Sequence, residues 1–161
     1  MKQIKLVGRM IYAQVDDEDY DFLSRYDWWI KRSKRTNYAK TKINGNDIDM
    51  HVLIMPLENG LTIDHKDGNG LHNCKENLRP ATMSQQNQNR RKGEDTSSVY
   101  KGVCWDKSRN AWIAYIKING KVKHLGRYKS EIRAARAYNE AATKYFGEFA
   151  KLNVLPIIKV S

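Results

Sequence analysis

Two neighbouring runs of alternating apolar and polar residues lie in the C-terminal third of the chain. They cover residues 112–118 and 121–128, and Asn119-Gly120 between them is the strongest short-range signal for a β-hairpin. A two-residue turn there pairs Ile118 with Lys121 at the tip of the hairpin. The same register continues through the pairs Lys117–Val122, Ile116–Lys123, Tyr115–His124 and Ala114–Leu125.

Side chains alternate between the two faces of a strand, so this register also predicts which residues share a face. One face is apolar and is predicted to carry Trp112, Ala114, Ile116, Ile118 and Leu125. The second face is predicted to carry Tyr115, Lys117, Val122 and His124. A preceding strand within residues 99–106 is expected to add Lys101 or Trp105 to this second face.

A helix is predicted directly after the hairpin. Ser130 suits its N-cap and Gly147 suits its C-terminal end. Small and aromatic residues recur between them at helical spacing, namely Ala134, Ala135, Tyr138, Ala141, Ala142 and Tyr145. The small side chains let the helix pack closely on the apolar sheet face, which leaves the second face open to solvent.

The N-terminal half predicts further short strands. Two alternating runs precede an acidic turn at residues 16–19, which is expected to be a solvated helix start rather than a metal site. Residues 27–55 predict a second hairpin that turns near Asn44-Gly45 and ends in an apolar stretch around His51. A single His in such a stretch is more often structural than catalytic, and the sequence leaves both roles open for His51.

Residues 61–91 combine a strand pattern with an unusual number of polar groups. They predict a strand ending in Asp64-His65, a glycine-rich connection, a second strand near Leu78 and a helix from about Ser84. Phosphodiester hydrolysis needs a base for the attacking water, and His65 suits that role because His titrates near neutrality. Asp64 with an amide oxygen from the helix would make a sparse site that suits Mg²⁺, which keeps several of its waters. The alternative is a hydrogen-bonded structural loop.

Net charge differs strongly between the two parts of the chain. The whole chain carries 29 Lys and Arg against 18 Asp and Glu, a net charge of +11. Residues 1–95 hold 16 basic and 14 acidic side chains, whereas residues 96–161 hold 13 basic and 4 acidic ones. This balance indicates a polyanionic partner, nucleic acid before a membrane. On the open sheet face, cations would engage phosphates while planar groups touch base edges, the alternative being a solvated structural face.

The sequence therefore predicts two domains. The first covers residues 1–92 and includes a β-rich N-terminal subregion, a polar linker covers residues 93–98, and the second domain covers residues 99–155. Cys74 and Cys104 lie in different segments, which argues against a disulfide framework or a Cys-based zinc site. Because the chain shows neither a signal-peptide core nor an apolar run long enough for a bilayer, we expect a cytoplasmic protein without a membrane partner.

Residues 97–154 resemble the AP-two DNA-binding domain of plant ethylene-response factors, a three-stranded sheet packed on one helix. The matching features are Lys101-Gly102-Val103, Trp112, His124-Leu125-Gly126, Ala141-Ala142 and Leu152-Asn153. In that family the sheet enters the major groove, and by position the resemblance implies as DNA readers Lys101, Trp105, Lys107, Arg109, Tyr115, Lys117 and His124. The plant target sequence is not implied, because Cys104, Tyr115 and His124 stand near positions where the plant proteins carry Arg, Glu and Trp.

Residues 50–91 resemble the HNH endonucleases, especially the phage homing type. The segments MHVLIM and LTIDHKDGNGLHNCKENLRPAT, followed by a Gln- and Asn-rich segment ending in NRR, carry this resemblance. It implies a ββα-metal fold in which His65 is the general base, Asp64 binds the metal ion and Asn77 ties the loop together through side-chain hydrogen bonds. It also implies a phage-encoded protein that acts in a bacterial host cell.

Two positions depart from the HNH pattern. Val52 stands where relatives often place Arg. The last metal ligand, an Asn or His on the helix, falls at Gln86 when the chain is counted from Thr82, and Asn87 is its neighbour. Asn87 would need a one-residue bulge or a later helix start, but its shorter amide holds geometry better, so we predict Asn87 over Gln86 as the ligand.

The two resemblances predict an α+β protein, with an HNH nuclease domain followed by a three-stranded antiparallel sheet on one helix. Its predicted function is metal-dependent cleavage of double-stranded DNA, with Mg²⁺ or, in its place, Mn²⁺, and Arg90 and Arg91 are expected to add DNA contacts. The alternative is a non-catalytic, sequence-selective DNA-binding or regulatory protein with a decayed nuclease loop, and a third class is an RNA-binding protein. The sequence does not indicate the target site, whether the protein nicks one strand or breaks both, or its oligomeric state. A monomer is compatible with the sequence.

Overall fold

The computed structural model describes residues 1–57, 60–90, 92–93 and 96–156. These residues form a mixed α and β structure with four small antiparallel sheets, which confirms the predicted α+β class at this level. The chain divides into two compact units, Met1–Gln86 and Asn87–Ser161, called unit 1 and unit 2 below. Arg91, one of the predicted DNA contacts, lies outside the described residues, as does part of the predicted linker.

Unit 1 begins with a two-stranded sheet and a short helix. Strand β1 (Lys2–Lys5) pairs with β2 (Tyr12–Val15), and helix α1 (Asp17–Leu23) starts within the acidic residues 16–19, as predicted. The indole N–H of Trp28 donates to the carbonyl of Leu23 at 2.8 Å, which closes the end of this helix. The core of unit 1 is built from Ile4, Leu6, Ala13, Val15, Leu23, Trp28, Ala39 and Met50.

The predicted second hairpin is part of a three-stranded sheet in unit 1. Strand β3 (Trp29–Lys31) pairs with β4 (Tyr38–Ile43), and β4 pairs with β5 (Asn46–Asp49). Asn44 and Gly45 both have positive φ, 49° and 82°, which is the backbone geometry that a tight two-residue hairpin turn requires. Helix α2 (Met50–Ile54) follows directly and carries His51.

The polar segment folds in the predicted order of strand, loop, strand and helix. Strand β6 (Thr62–His65) pairs antiparallel with β7 (Leu78–Ala81), and helix α3 (Met83–Gln88) follows. The connection between the two strands, residues 66–77, is called the site loop below. This segment, which connects the two strands along the chain, is rich in Asp, Asn and His.

Unit 2 contains the predicted three-stranded sheet and helix. The sheet order is β10 (Lys121–Tyr128), β9 (Ala111–Ile118) and β8 (Val103–Asp106), and helix α4 runs over Glu131–Phe146. Ser130 is the N-cap residue, although its side chain makes no capping hydrogen bond, and Gly147 ends the helix with a φ of 52°. The small side chains of α4 pack on the sheet as predicted, and the buried members of this core are Val103, Ala114, Ile116, Ala134, Ala135, Tyr138, Ala141, Ala142 and Phe146.

Tyr145 differs from its predicted position on the buried helix face. Its side chain is exposed, and the neighbouring Phe146 is buried instead. The Tyr145 hydroxyl lies 2.7 Å from the Lys123 ammonium, which donates a hydrogen bond to it. An amphipathic residue with one polar end gains from such an exposed partner, whereas Phe has no polar atom to satisfy.

The register of the β9–β10 hairpin is confirmed near its turn and differs beyond it. The predicted pairs from Ile118–Lys121 to Tyr115–His124 are present, but Ala114 pairs with Gly126 rather than with Leu125. Leu125 is the extra residue of a β-bulge, and it still packs against the core on α4. Gly126, with a φ of 146°, supplies the backbone conformation that this bulge uses.

Candidate functional site

Asp64 and His65 end strand β6 and are both buried. The antiparallel register places Asp64 opposite Arg79 and His65 opposite Leu78. Burial of a charged carboxylate is unfavourable unless a partner compensates it, so the surroundings of Asp64 decide what the site can do.

Arg79 is the buried partner of Asp64. Its Nε and Nη2 donate to the same carboxylate oxygen, Oδ2 of Asp64, at 3.0 and 2.8 Å. The two side chains are only 9% and 6% exposed, so this ion pair is desolvated on both sides. The guanidinium thereby fixes the orientation of the carboxylate that the HNH resemblance assigned to metal binding. Sequence reasoning missed Arg79, because its role depends on a cross-strand pair.

The imidazole of His65 is held by hydrogen bonding and ring packing. Its Nε2 lies 3.1 Å from Oδ1 of Asn73, and Nδ2 of the fully buried Asn73 donates to Sδ of Met50 at 3.4 Å. The ring of Tyr38 lies against the imidazole, with centroids 5.9 Å apart. Burial lowers the pKa of His65, although the hydrogen bond that its ring makes to Asn73 and the nearby carboxylates of Asp67 and Asp64 act in the opposite direction.

His51 is part of the same cluster of rings. Its imidazole meets that of His65 edge to face at 5.1 Å between centroids, and Tyr38 contacts both rings. Burial, with smaller contributions from His65 and Lys31, lowers the pKa of His51 to about 3. His51 is therefore a neutral ring beside His65 rather than an isolated His in an apolar stretch. His51 lies 14 residues before His65 along the chain, so the contact between the two rings is not visible in the sequence.

The site loop is held together by the side chain of Asn77. Its Oδ1 accepts from the backbone N–H of Asp67 at 3.1 Å, and its Nδ2 donates to Oδ1 of Asp67 at 3.0 Å and to the carbonyl of His72 at 2.8 Å. These are side-chain bonds of the kind that the resemblance implied for this residue. Burial alone would raise the pKa of Asp67, but hydrogen bonds from Asn69, His72 and Asn77 bring it below its ordinary value. The contribution of Asn77 to catalysis stays a prediction.

The acidic residues at the start of helix α1 bind the end of the site loop. The carboxylate of Asp16 accepts from the backbone N–H of Lys75 at 2.7 Å, and the Lys75 ammonium pairs with Glu18 and Asp19. The side chains of Lys75 and Glu18 are exposed, so their pair adds little stability by itself, whereas Asp16 and Asp19 are partly buried. Their effect is to connect the turn with the segment that leads into β7.

The start of helix α3 is regular, which bears on the choice between Gln86 and Asn87. Thr82 and Gln85 bond to each other as a capping box, with Oε1 of Gln85 accepting from the backbone N–H of Thr82 at 2.8 Å. The N–H of Gln86 donates to the carbonyl of Thr82 at 3.0 Å, a normal helical bond. The bulge or later start that Asn87 would need is therefore absent between residues 82 and 86, all of which the structure describes.

Gln86 faces strand β6. Its Nε2 donates to the carbonyl of Ile63, the residue before Asp64, at 3.4 Å, whereas the side chain of Asn87 is exposed. Neighbouring helical residues point about 100° apart, so both amides do not face the strand together. This geometry favours Gln86 over the predicted Asn87 as the amide near Asp64.

The donor types at this position fit a hard divalent cation. Asp64 offers carboxylate oxygen and Gln86 offers amide oxygen, both of which suit Mg²⁺. No group of three or more His, Cys, Asp and Glu side chains suited to a metal ion occurs within the described part of the chain. A metal ion here would therefore rest on few protein ligands and keep several waters, as Mg²⁺ commonly does.

The open face of the unit 2 sheet carries mixed basic and aromatic residues. Tyr115 pairs with His124 and Lys117 pairs with Val122 on this face, as predicted. The bulge at Leu125 adds Arg127, which pairs with Ile113 and lies on the same face. The Nε of Arg127 is 3.7 Å from Oδ2 of Asp106. Sequence reasoning missed Arg127, because strict alternation places it on the other face.

Trp105 does not lie on the open face. It pairs with Trp112 in the β8–β9 ladder, two residues along from the pair between buried Val103 and Ala114 and so on the same face, and the two indole rings are 4.9 Å apart. Its predicted position on the second face is wrong, because pairing with Trp112 sets it on the helix side. A DNA contact by Trp105 stays untested.

Lys101 lies before strand β8, and its ammonium group donates hydrogen bonds to backbone carbonyls of unit 2. Its Nζ donates to the carbonyls of Gln88 at 2.5 Å and Arg90 at 2.6 Å, and burial, with a smaller effect of Lys151, lowers its pKa to about 8. These bonds occupy the carbonyl of the last residue of α3 and one carbonyl just beyond it. Among the other predicted DNA contacts, Arg90, Lys107 and Arg109 are exposed.

Comparison with known proteins agrees with both resemblances. The AP2 domain model matches residues 98–148. An uncharacterised HNH endonuclease of Acanthamoeba polyphaga mimivirus is 32% identical over 149 residues, which cover 91% of this chain and 76% of the relative. Protein 3.8 of Escherichia phage T7 is 29% identical over 96 residues, 60% of this chain and 78% of the relative.

The similarity to the mimivirus protein extends over most of both chains. The chain therefore belongs to the HNH endonuclease family, and it carries an AP2 domain within unit 2. No solved structure matches the chain significantly. Within the described residues, none of the helices has the length and apolar character needed to cross a membrane.

Proposed function

We propose that this protein is a metal-dependent DNA endonuclease in which unit 1 carries the hydrolytic site and unit 2 contributes DNA affinity. The observation that carries the proposal is the pair Asp64 and His65, buried side by side on β6 in a chain of the HNH family. The pair combines an oriented carboxylate with an imidazole whose pKa is lowered. Base catalysis requires a neutral imidazole, and this environment favours that form.

His65 is the proposed general base, and the atom that accepts the proton is Nδ1. Asn73 Oδ1 accepts the hydrogen of Nε2, so the imidazole lone pair is on Nδ1 in this arrangement. The orientation of the Asn73 amide is supported by its Nδ2, which donates to Met50. Packing by Tyr38 and His51 limits rotation of the ring. The ring is thereby positioned before substrate binds.

Asp64 and Gln86 are the proposed protein ligands of a divalent cation, most simply Mg²⁺, with Mn²⁺ as a substitute. When bound, such a cation neutralises charge on the scissile phosphate and assists departure of the leaving oxygen. Arg79 keeps the Asp64 carboxylate in one orientation through Oδ2. Asn77 holds the site loop between the two strands, which keeps His65 and its surroundings in place.

The AP2 domain is the proposed source of most affinity for double-stranded DNA. The open sheet face presents Tyr115, Lys117, His124 and Arg127, and exposed Lys107 and Arg109 lie in the turn between β8 and β9. Lys and Arg on such a face bind phosphates, while planar groups contact base edges. Because the Lys101 ammonium is engaged by two carbonyls, it is a weaker candidate than the exposed cations.

A binding-only protein with a decayed nuclease loop is the second candidate. The observation that favours it is Gln86, which stands where the HNH pattern expects Asn and has a longer, less rigid side chain. In this alternative, unit 2 still binds DNA, but unit 1 does not hydrolyse it. The two candidates therefore differ in whether Asp64 and His65 support turnover.

Nicking of supercoiled plasmid with Mg²⁺ tests the proposal. Purified full-length protein should convert plasmid to open-circular or linear form, and EDTA should stop the reaction. His65→Ala should lower the rate by about 10²–10⁴-fold, since this is the usual contribution of a general base. DNA affinity in EDTA and the unfolding temperature serve as controls and should barely change. Cleavage at the wild-type rate by His65→Ala would contradict the mechanism, and wild-type protein that binds without cleaving would favour the binding-only candidate.

A further inference from the structure

The basic residues of unit 1 are concentrated in one stretch. Residues 1–86 carry 13 Lys and Arg and 12 Asp and Glu, so this unit is nearly neutral. Between Asp27 and Asp47, however, there is no acidic residue, and the basic residues are Lys31, Arg32, Lys34, Arg35, Lys40 and Lys42. Nearly half of the positive charge of unit 1 is therefore in a segment of the β3–β4–β5 sheet.

Four of these cations lie at the β3–β4 connection, which we call the basic loop (residues 31–35). Lys31, Arg32, Lys34 and Arg35 are all exposed. None of the four forms an ion pair with any residue that the structure describes, whereas Lys40 is 3.9 Å from Asp47. Adjacent like charges repel each other, so a polyanion that lies across the loop would stabilise it.

The basic loop is attached to the site loop through the residues that follow it. Oγ1 of Thr36 accepts from the backbone N–H of Gly70 at 2.9 Å. A Cβ added to Gly70 would lie 2.5 Å from both the carbonyl oxygen of Asn37 and the ring of Tyr38, so the two segments are in close contact. Tyr38 in turn packs on His65, with centroids 5.9 Å apart. Only a few residues therefore separate the cations from the proposed base.

We propose that the basic loop is a second DNA interface, which binds backbone phosphates next to the phosphate that is cleaved. This inference rests on the proposed nuclease function. Duplex DNA carries one negative charge per about 1.7 Å of its axis, so a segment that passes His65 presents several phosphates to a loop attached beside it. Contacts of this kind are independent of base sequence and fix the position of the backbone. The AP2 domain would choose the site, and the basic loop would align the strand with His65.

Salt dependence of DNA binding tests the inference without requiring cleavage. The full-length double variant Lys34→Gln/Arg35→Gln is compared with the control Lys5→Gln/Arg9→Gln, which removes two exposed cations of unit 1 from another segment. With a duplex substrate in EDTA, the slope of log K against log salt should become shallower by about two for the loop variant, because two phosphate contacts are lost. The control should keep the wild-type slope.

Photocrosslinking locates the contact directly. Benzoylphenylalanine in place of Ser33, within the basic loop, should crosslink to duplex DNA on irradiation. The same group in place of Met10, which is 79% exposed, is the control and should give little crosslinked product. The crosslinked nucleotide should lie within a few base pairs of the cleavage position.

The outcomes separate this inference from the nuclease proposal. If wild type cleaves, but the loop variant keeps the wild-type salt slope and position 33 gives no more crosslink than position 10, the basic loop is not a DNA interface. If wild type does not cleave, but the slope changes and position 33 crosslinks, the interface is supported and the nuclease proposal fails. A loop that crosslinks to an acidic protein in a mixture and not to DNA would also overturn the inference.

Discussion

The imidazole rings of His51 and His65 meet edge to face, with their centroids 5.1 Å apart. His51 is the second residue of helix α2, after Met50, and His65 is the last residue of strand β6. Two separate elements therefore meet at this contact. Two protonated rings at this distance would repel each other, and burial disfavours the charge of each one. The contact therefore favours a state in which both rings are neutral.

His51 should make the stability of unit 1 depend on pH. Its folded pKa is about 3, below the ordinary value of about 6.5, so between these values the unfolded chain binds a proton that the folded chain does not. The effect of His51 on the unfolding free energy is therefore most favourable above pH 6.5. The unfolding free energy then decreases as the pH falls from 6.5 toward 3. His51→Phe, which keeps a ring, should reduce the pH slope of the unfolding free energy by up to about 1.4 kcal/mol per pH unit.

Urea unfolding in EDTA at several pH values between 5 and 7.5 measures this slope. Fluorescence of Trp28 and Trp29, the two Trp residues of unit 1, reports on that unit when Trp105 and Trp112 of unit 2 are replaced by Phe. His124→Phe, on the open sheet face of unit 2, is the matched control. An equal slope in wild type and His51→Phe would show that His51 does not remain neutral in the folded state.

Cleavage should persist in mildly acidic buffer. Burial lowers the pKa of His65, and a base is active in its unprotonated form, so the acid limb of log kcat should fall below pH 6.5. Single-turnover rates of plasmid nicking between pH 5 and 8, at saturating Mg²⁺, measure the limb. A midpoint at or above pH 6.5 would indicate an environment for His65 that differs from the buried one.

The sequence predicts the elements well where a local signal is strong. Asn119-Gly120 and Asn44-Gly45 correctly located two hairpins, and the small residues of α4 correctly identified its buried face. Alternation failed at Leu125, because a bulge adds one residue to one strand and the pattern of residue types does not record it. That single residue moves Arg127 to the open face. Trp105 was misplaced because its face depends on its partner strand.

The candidate site is only partly readable from the sequence. Asp64, His65 and Asn77 are conspicuous because they lie within one short polar segment. Their partners Arg79, Asn73 and His51 become visible only when β6, β7, the site loop and α2 are brought together. Gln86 also required the structure, because only the capping box of Thr82 fixes the helix register.

Arg79 should be needed to keep the buried Asp64 carboxylate stable. Removal of one partner from a buried ion pair costs about 3–5 kcal/mol, so Arg79→Met should lower the unfolding free energy by that order in EDTA. Asp64→Asn/Arg79→Met should recover part of the loss, because it removes both charges. If Asp64 also binds a divalent cation, Mg²⁺ should raise the Tm of Arg79→Met more than that of wild type. Additive effects of the two substitutions would contradict coupling through this pair.

Asn153 should stabilise unit 2 through two bonds to one residue. Its Oδ1 accepts from the backbone N–H of Lys101 at 2.7 Å, and its Nδ2 donates to the Lys101 carbonyl at 3.0 Å. Asn139 of α4 bonds to the backbone of Asn153 on both sides, at 2.8 Å each. Asn153→Ala leaves the Lys101 groups without these partners and should cost roughly 1–3 kcal/mol. Leu152→Ala, at an exposed neighbour, is the control and should change stability by less than about 0.5 kcal/mol.

Gln86, rather than Asn87, should set the Mg²⁺ requirement of cleavage. The bond from Gln86 to the carbonyl of Ile63 places its amide against β6 beside Asp64, and Asn87 is exposed. Loss of one ligand from a sparse site weakens metal binding while leaving the base in place. Gln86→Ala should therefore raise the Mg²⁺ concentration for half-maximal nicking and lower the rate, whereas Asn87→Ala should resemble wild type.

Gln86→Asn sharpens this test, because it introduces the shorter amide that the HNH pattern expects at this register. If the regular helix start of α3 is retained, Gln86→Asn should keep a low Mg²⁺ requirement, since a shorter side chain loses less freedom on binding. Titrations of Mg²⁺ and Mn²⁺ against nicking rate, with DNA affinity in EDTA as the control, compare the three variants. If the Mg²⁺ requirement rises for Asn87→Ala alone, Asn87 is the metal ligand. If the Mg²⁺ requirement is unchanged in all three variants, helix α3 contributes no ligand to the metal site.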